Sequence, residues 1–134
     1  MALGAGLVSG CRSADRPAAG ASLIGTSWLA QEIDGRPVLE RINPTLTFES
    51  AQRIVGNTAC NRYFGGLELG DGVVKLKPTG TTRMACPTPV MEQERAFLAA
   101  LNATTTFRRE GDTLRLLDGA GRVRVRFTPL APAR

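Results

Sequence analysis

A chain of 134 residues, 43% hydrophobic and 22% charged, has enough apolar material for one domain with a real core and too little length for two. Its formal charge of +5 rests almost wholly on arginine, Lys75 and Lys77 being the lysines. The charge is spread from Arg12 to Arg134 with no RRM, KH, zinc-finger or helix-turn-helix pattern beside it, so nucleic acid is not an expected partner. The chain lacks histidine, which removes the base of Ser-His-Asp and Cys-His chemistry.

The opening residues, MALGAGLVSGC, are small and apolar and run into Leu7-Val8-Ser9-Gly10-Cys11. This stretch resembles a bacterial lipobox, in which an apolar and then small residues precede the cysteine that receives lipid. Residues 1–10 are therefore expected to be a signal segment and Cys11 the lipidation site. No Lys or Arg precedes the short apolar run, which leaves room for an upstream start. Residues 11–22 are polar and rich in Pro, Gly and Ala, the composition of a flexible tether, and the folded domain is expected over 23–129. An exported, lipid-anchored protein facing the periplasm follows. Arg12, rather than Asp, at the second mature position favours the outer membrane.

From Thr26 onward, β-rich runs alternate with turn dipeptides, the pattern of an antiparallel sheet. TSWLAQEI breaks at Asp34-Gly35, TLTFES alternates, and QRIVGN follows a tight connection at Ser50-Ala51. GLEL, the Gly70-Asp71-Gly72 turn and VVKLK form a hairpin signature. PTPVMEQERAFLAALNA is the one convincing helix. Thr88 is its expected cap, Pro89 suits the first turn, and Glu92 and Glu94 complement the helix dipole. Val90, Met91, Phe97, Leu98 and Leu101 make one apolar stripe to lay against the sheet. Strands TTFRRE, TLRLL and RVRVRF follow. In the last, Val123, Val125 and Phe127 are expected on the core face and Arg122, Arg124 and Arg126 on the other.

GNTACNRYFGGLEL, TGTTRMACPTPVMEQERAFLAAL and TTFRREGDTLRLLDGAGRVRVRF together resemble the META domain, the HslJ-like family of small bacterial envelope proteins, over roughly Leu23 to Thr128. The resemblance implies a mostly β fold: an antiparallel β-barrel-like curved sheet covered or plugged by a single α-helix, in a periplasmic or lipid-anchored setting. It implies no agreed enzymatic activity. Within these motifs Gly56, Gly65 and Gly66 suit a bulge or barrel corner. Asn57 and Asn61 suit an irregular backbone that they hydrogen-bond themselves. Asn57, Asn61, Tyr63, Thr82 and Met84 are the candidate binding positions, because loops on a rigid scaffold are where binding sits.

With Cys11 given to lipid, Cys60 and Cys86 remain as an even pair in an oxidising compartment. A disulfide would close about 26 residues and stabilise the fold by roughly 3–4 kcal/mol. Two buried thiols, or one reactive cysteine, are the competing states. Two cysteines without histidine fall short of a zinc site, and no phosphate-binding loop is present. The expected protein is thus not an enzyme and uses no cofactor or metal. It is a monomeric envelope module, linked to stress or integrity, whose partner is another envelope protein or an apolar or anionic ligand. One alternative is an anion-binding surface for lipid or lipopolysaccharide phosphates at Arg122, Arg124 and Arg126, joined by Arg108 and Arg115. The competing view of that face is a solvated strand with arginines as edge protection. Another alternative is an inhibitor or chaperone-like protein acting by β-edge pairing. For the cysteines the outcome is definite: mature protein unfolded without reductant should give essentially no signal with a thiol-reactive dye, and two titratable thiols would rule out the bridge.

Overall fold

The computed structural model describes residues 19–130. Cys11, Arg12 and the expected signal segment lie outside them. A 3-10 turn, Ala19–Leu23, precedes the sheet within the stretch expected to be tether, and it buries Leu23 completely.

Nine strands follow among the described residues: β1 (Ser27–Ile33), β2 (Arg36–Pro37), β3 (Thr45–Ser50), β4 (Arg53–Asn57), β5 (Arg62–Leu69), β6 (Val74–Thr81), β7 (Thr104–Glu110), β8 (Thr113–Asp118) and β9 (Val123–Pro129), with one α-helix, α1 (Thr88–Ala103), between β6 and β7. All pairings are antiparallel. The order is β6-β5-β4-β3-β1-β9-β8-β7, with the two-residue β2 beside β1. Asp34 and Gly35 both have positive φ, 52° and 81°, the backbone of a two-residue turn whose twist matches the strands it joins. The sheet curls until its two outer strands touch at a single bridge, Val73 to Thr106, supported by the Phe107 amide donating to the Gly72 carbonyl over 3.2 Å. The rest of that seam does not pair, and α1 packs on β6, β9, β8 and β1.

Alternation puts Trp28 and Ala30, Leu46 and Phe48, Tyr63 and Leu67, Val74 and Leu76, Leu114 and Leu116, and Val125 and Phe127 into the concavity. The helix adds Phe97, Ala100 and Leu101. Phe97 meets Tyr63 edge-to-face at 5.8 Å and Phe127 at 6.3 Å. Each such pair contributes about 0.5–1.5 kcal/mol beyond burial. The interior is filled by side chains.

Three expectations change. Pro87, not Thr88, occupies the cap position, no side chain caps the helix, and no acid lies in its first turn. Glu92 and Glu94 fall beyond that turn, where the dipole is weak. Only the C-terminal part of the stripe reaches the core: Phe97 and Leu101 are fully buried and Leu98 packs against them half-buried, whereas Val90 and Met91 are half-buried outside the core cluster. Val123 is 40% exposed, because the β8–β9 register shifts between Leu116 and Leu117 and carries the strand end off the core face.

Two glycines in β4 and β5 are demanded by close approach. A Cβ on Gly56 would lie 2.3 Å from the Thr45 carbonyl oxygen, and one on Gly65 would lie 2.1 Å from the Lys77 carbonyl oxygen, whereas one on Gly66 would meet nothing. Gly65→Ala is therefore expected to lower the free energy of unfolding by about 1–3 kcal/mol, and Gly66→Ala to leave it within about 0.5 kcal/mol. Denaturant titration measures both, and equal losses would contradict the close-approach account.

Candidate functional site

The β4–β5 corner opens on Asn57, whose side-chain oxygen accepts from the Ala59 amide at 2.7 Å. That contact holds Ala59 at a φ of 78°, a conformation uncommon for a residue with a side chain. Thr58, fully buried, accepts from the Asn61 amide at 2.8 Å and donates its hydroxyl to Glu94 Oε2 on α1 at 2.7 Å. Asn61 uses both ends of its amide. Its nitrogen donates to the same Glu94 oxygen at 2.8 Å. Its oxygen accepts from the Met84 amide at 2.7 Å and from the Thr82 hydroxyl at 2.9 Å.

Cys60 and Cys86 are joined by a disulfide, with Cα atoms 6.1 Å apart. The bridge fastens the same corner to the segment that leads from β6 into α1. Corner, connecting segment and helix are thus clasped by the disulfide and by four of these hydrogen bonds within a few residues. No buried side-chain nitrogen or oxygen among the described residues lacks a partner.

Of the candidate binding positions, the structure brings Asn61, Thr82 and Met84 together and leaves Asn57 and Tyr63 to other tasks. Tyr63 is 2% exposed and donates its hydroxyl to the Thr45 carbonyl at 2.6 Å. Burial pushes its phenol well above its usual pKa. The Met84 side chain is 60% exposed. It borders an open pocket of about 380 Å³ whose other walls include Met91, Leu98 and Arg83, with Asn61 and Glu94 supplying polar atoms. Glu94 is the member that sequence reading misses. Its place on the helix suggests a dipole partner, and nothing local to the helix shows that a corner more than thirty residues upstream donates to it.

Arg122 and the arginines of β9 are all engaged. Arg124 pairs with Asp34 at 2.6 Å and reaches Asp118 at 3.4 Å. Arg122 pairs with Asp118 at 3.2 Å, and Arg126 with Glu32 at 3.1 Å. The Arg122 amide, more than any other group, holds the Asp118 carboxyl below its ordinary pKa. Arg115 pairs with Glu110 at 3.0 Å and sits opposite both Arg108 and Arg126. The register thus draws Arg108 and Arg115 toward Arg126.

The fold and the clasp coincide with one family model, the META domain, matched over residues 21–130. The chain belongs to the META domain family. A curated relative, heat shock protein HslJ of Escherichia coli (strain K12), is 27% identical over 88 residues, 65% of this chain and 63% of that protein. The chain therefore matches somewhat under two thirds of the relative's length. A protein from Burkholderia xenovorans solved by NMR superposes with a TM-score of 0.66 at 30% identity, covering 84% of this chain and 86% of that one. A crystal structure of a DUF4847 family protein from Bacteroides vulgatus ATCC 8482 gives a TM-score of 0.63 at 13% identity, over 79% and 93%. That last likeness concerns the fold alone.

In this META domain Glu94 is the acceptor on which two buried donors depend. Glu94→Ala removes the charged acceptor of the Thr58 hydroxyl and the Asn61 amide, leaving them only the longer contacts to the Asn61 carbonyl at 3.1 Å and the Met84 carbonyl at 3.4 Å, and is expected to cost about 1–3 kcal/mol of stability. Glu92→Ala, two residues earlier and exposed, should change stability by less than about 0.5 kcal/mol. Thermal or denaturant unfolding of the two variants side by side decides it, and indistinguishable curves would remove Glu94 from the clasp.

Proposed function

We propose that the protein is a non-enzymatic binding module of the cell envelope, anchored through lipid at Cys11 and engaged in envelope stress or integrity. One observation carries the binding reading: a rigid clasp frames an open pocket beside an exposed methionine. A clasp whose polar groups satisfy one another supplies a preorganised wall. Met84, Met91 and Leu98 supply adaptable apolar contact of the kind used at recognition surfaces. The interior of the half-barrel is occupied by core side chains, which favours recognition at the rim over enclosure of a ligand. The heat-shock designation of the HslJ relative supports the link to stress. The lipobox-like LVSGC and the tether-like residues after it support the anchor.

A photoreactive residue placed at Met84 in intact cells should give a discrete adduct, lost when Ala85→Trp fills the pocket mouth. The same probe at Gly119, on the distant β8–β9 turn, should give none. Absence of any adduct at 84, or adducts of equal yield at both positions, would overturn the rim as the binding surface. Labelling with radioactive palmitate, present in the natural chain and absent after Cys11→Ser, tests the anchor separately.

A further inference from the structure

The outward faces of β4, β5 and β6 carry a group of side chains that neither the core nor the clasp uses. Along β5, Arg62 and Phe64 alternate with the buried Tyr63 and Gly65. Phe64 is 45% exposed. Its ring lies flat across β6: a Cβ on Gly80 would sit 2.2 Å from the ring's Cζ. On its other side, Arg53 of β4 stacks over the ring at 5.1 Å. Lys77 lies opposite Gly66, and Lys75 opposite Glu68.

Four cations, Arg53, Arg62, Lys75 and Lys77, thus share the outward face of β4, β5 and β6 with one exposed aromatic ring, Arg53 against the ring itself and Lys75 level with a position four residues farther along β5. Two carboxylates answer them, Glu49 with Arg53 at 2.8 Å and Glu68 with Lys77 at 3.7 Å. Both pairs are more than half exposed, where ion pairs are weak. Arg62 and Lys75 are exposed and have no carboxylate partner among the described residues. The β8–β9 face is different, because each arginine of β9 is already matched to a carboxylate.

We infer that this β4–β6 face docks on an anionic lipid bilayer, with Phe64 entering the headgroup boundary and the four cations meeting lipid phosphates. Three observations favour a bilayer over a single small anion or an acidic protein. The cations do not converge: Arg62 and the Arg53–Lys77 pair stand four residues apart along β5, about 13 Å, the spacing of several headgroups. A ring flanked by basic side chains on one open face has the composition of interfacial anchors. The chain also enters the fold beside this part of the sheet. Gly20 packs so closely on the β5–β6 turn that a Cβ there would lie 2.8 Å from the Gly70 carbonyl oxygen. Resting on the anchoring reading above, a lipid at Cys11 is joined to this corner by a tether of at most about 30 Å, which holds the β4–β6 half near the membrane.

The test uses the full chain carrying Cys11→Ser, so that no lipid is attached and a failed anchor is not mistaken for a failed face. Sedimentation with vesicles of phosphatidylglycerol and phosphatidylcholine should show binding that vanishes with phosphatidylcholine alone and falls at high salt. Arg62→Glu with Lys75→Glu should lower the partition coefficient at least tenfold. The charge-matched pair Arg95→Glu with Arg108→Glu, on the helix and on β7, should lower it less than threefold. Phe64→Trp supplies a local readout, since Trp28 is buried: the emission of this variant should shift to the blue on anionic vesicles. No binding to anionic vesicles, equal binding to neutral ones, equal loss in the two charge-reversed pairs, or an unshifted emission from the Phe64→Trp variant would each overturn the proposal.

Discussion

A sheet whose eight-strand path curls far enough for its outer strands to meet at one bridge encloses a concavity that something must fill. Phe97 is the residue on which the solution turns. It stands on the only α-helix among the described residues and is fully buried. It contacts Tyr63 from one half of the sheet and Phe127 from the other. Without a bulky side chain there, the two halves would face each other across a void, and voids cost stability in proportion to their size. The remaining architecture can be understood as what it takes to deliver that ring to that place.

Delivery requires that the helix start at a fixed height above the rim, yet its own N-terminus is poorly specified. Pro87 offers no capping oxygen, and no acid lies in the first turn. The missing local signal is replaced by long-range ones. The disulfide fixes the residue just before the helix cap, and Glu94 takes two donors from the β4–β5 corner. Gln93, one residue earlier, accepts from the Leu39 amide and donates to the Ile42 carbonyl. The helix is therefore held on both sides, by the corner that bears Asn61 and by the segment that follows β2. Its far end needs no separate loop, since Thr104 closes the helix through the Ala100 carbonyl and is already the first residue of β7.

This division explains what is legible in the chain. Strands with strict alternation, such as TLTFES, and turns with a required backbone, such as Asp34-Gly35, are local statements and can be read as such. The pairing of Cys60 with Cys86 is readable because only two cysteines remain after Cys11. Glu94 is misread because its partners are distant: a half-buried acid on a helix looks, from its own neighbourhood, like a dipole partner. Val123 is misread because alternation predicts facing only while the register holds, and the register with β8 skips Arg124, which only the pairing of the two strands reveals. Asn61, read from the chain as a candidate binding position, has its amide consumed by the clasp, so it shapes the pocket more through what it holds than through what it offers.

Charge follows the same logic of local sign and distant partner. The arginine row of β9 is the most conspicuous cationic feature of the chain, and its face is the one on which carboxylates from β1, the β1–β2 turn and β8 converge. The less conspicuous cations of β4, β5 and β6 are scattered through the chain and become neighbours only when the strands align. Two of them, Arg62 and Lys75, have no carboxylate partner among the described residues. Neither core packing nor the clasp uses the Phe64 ring or these cations. The contrast between the two faces thus arises from placement, not from composition: the arginines of β9 meet carboxylates, whereas Arg62 and Lys75 on the β4–β6 face meet none among the described residues.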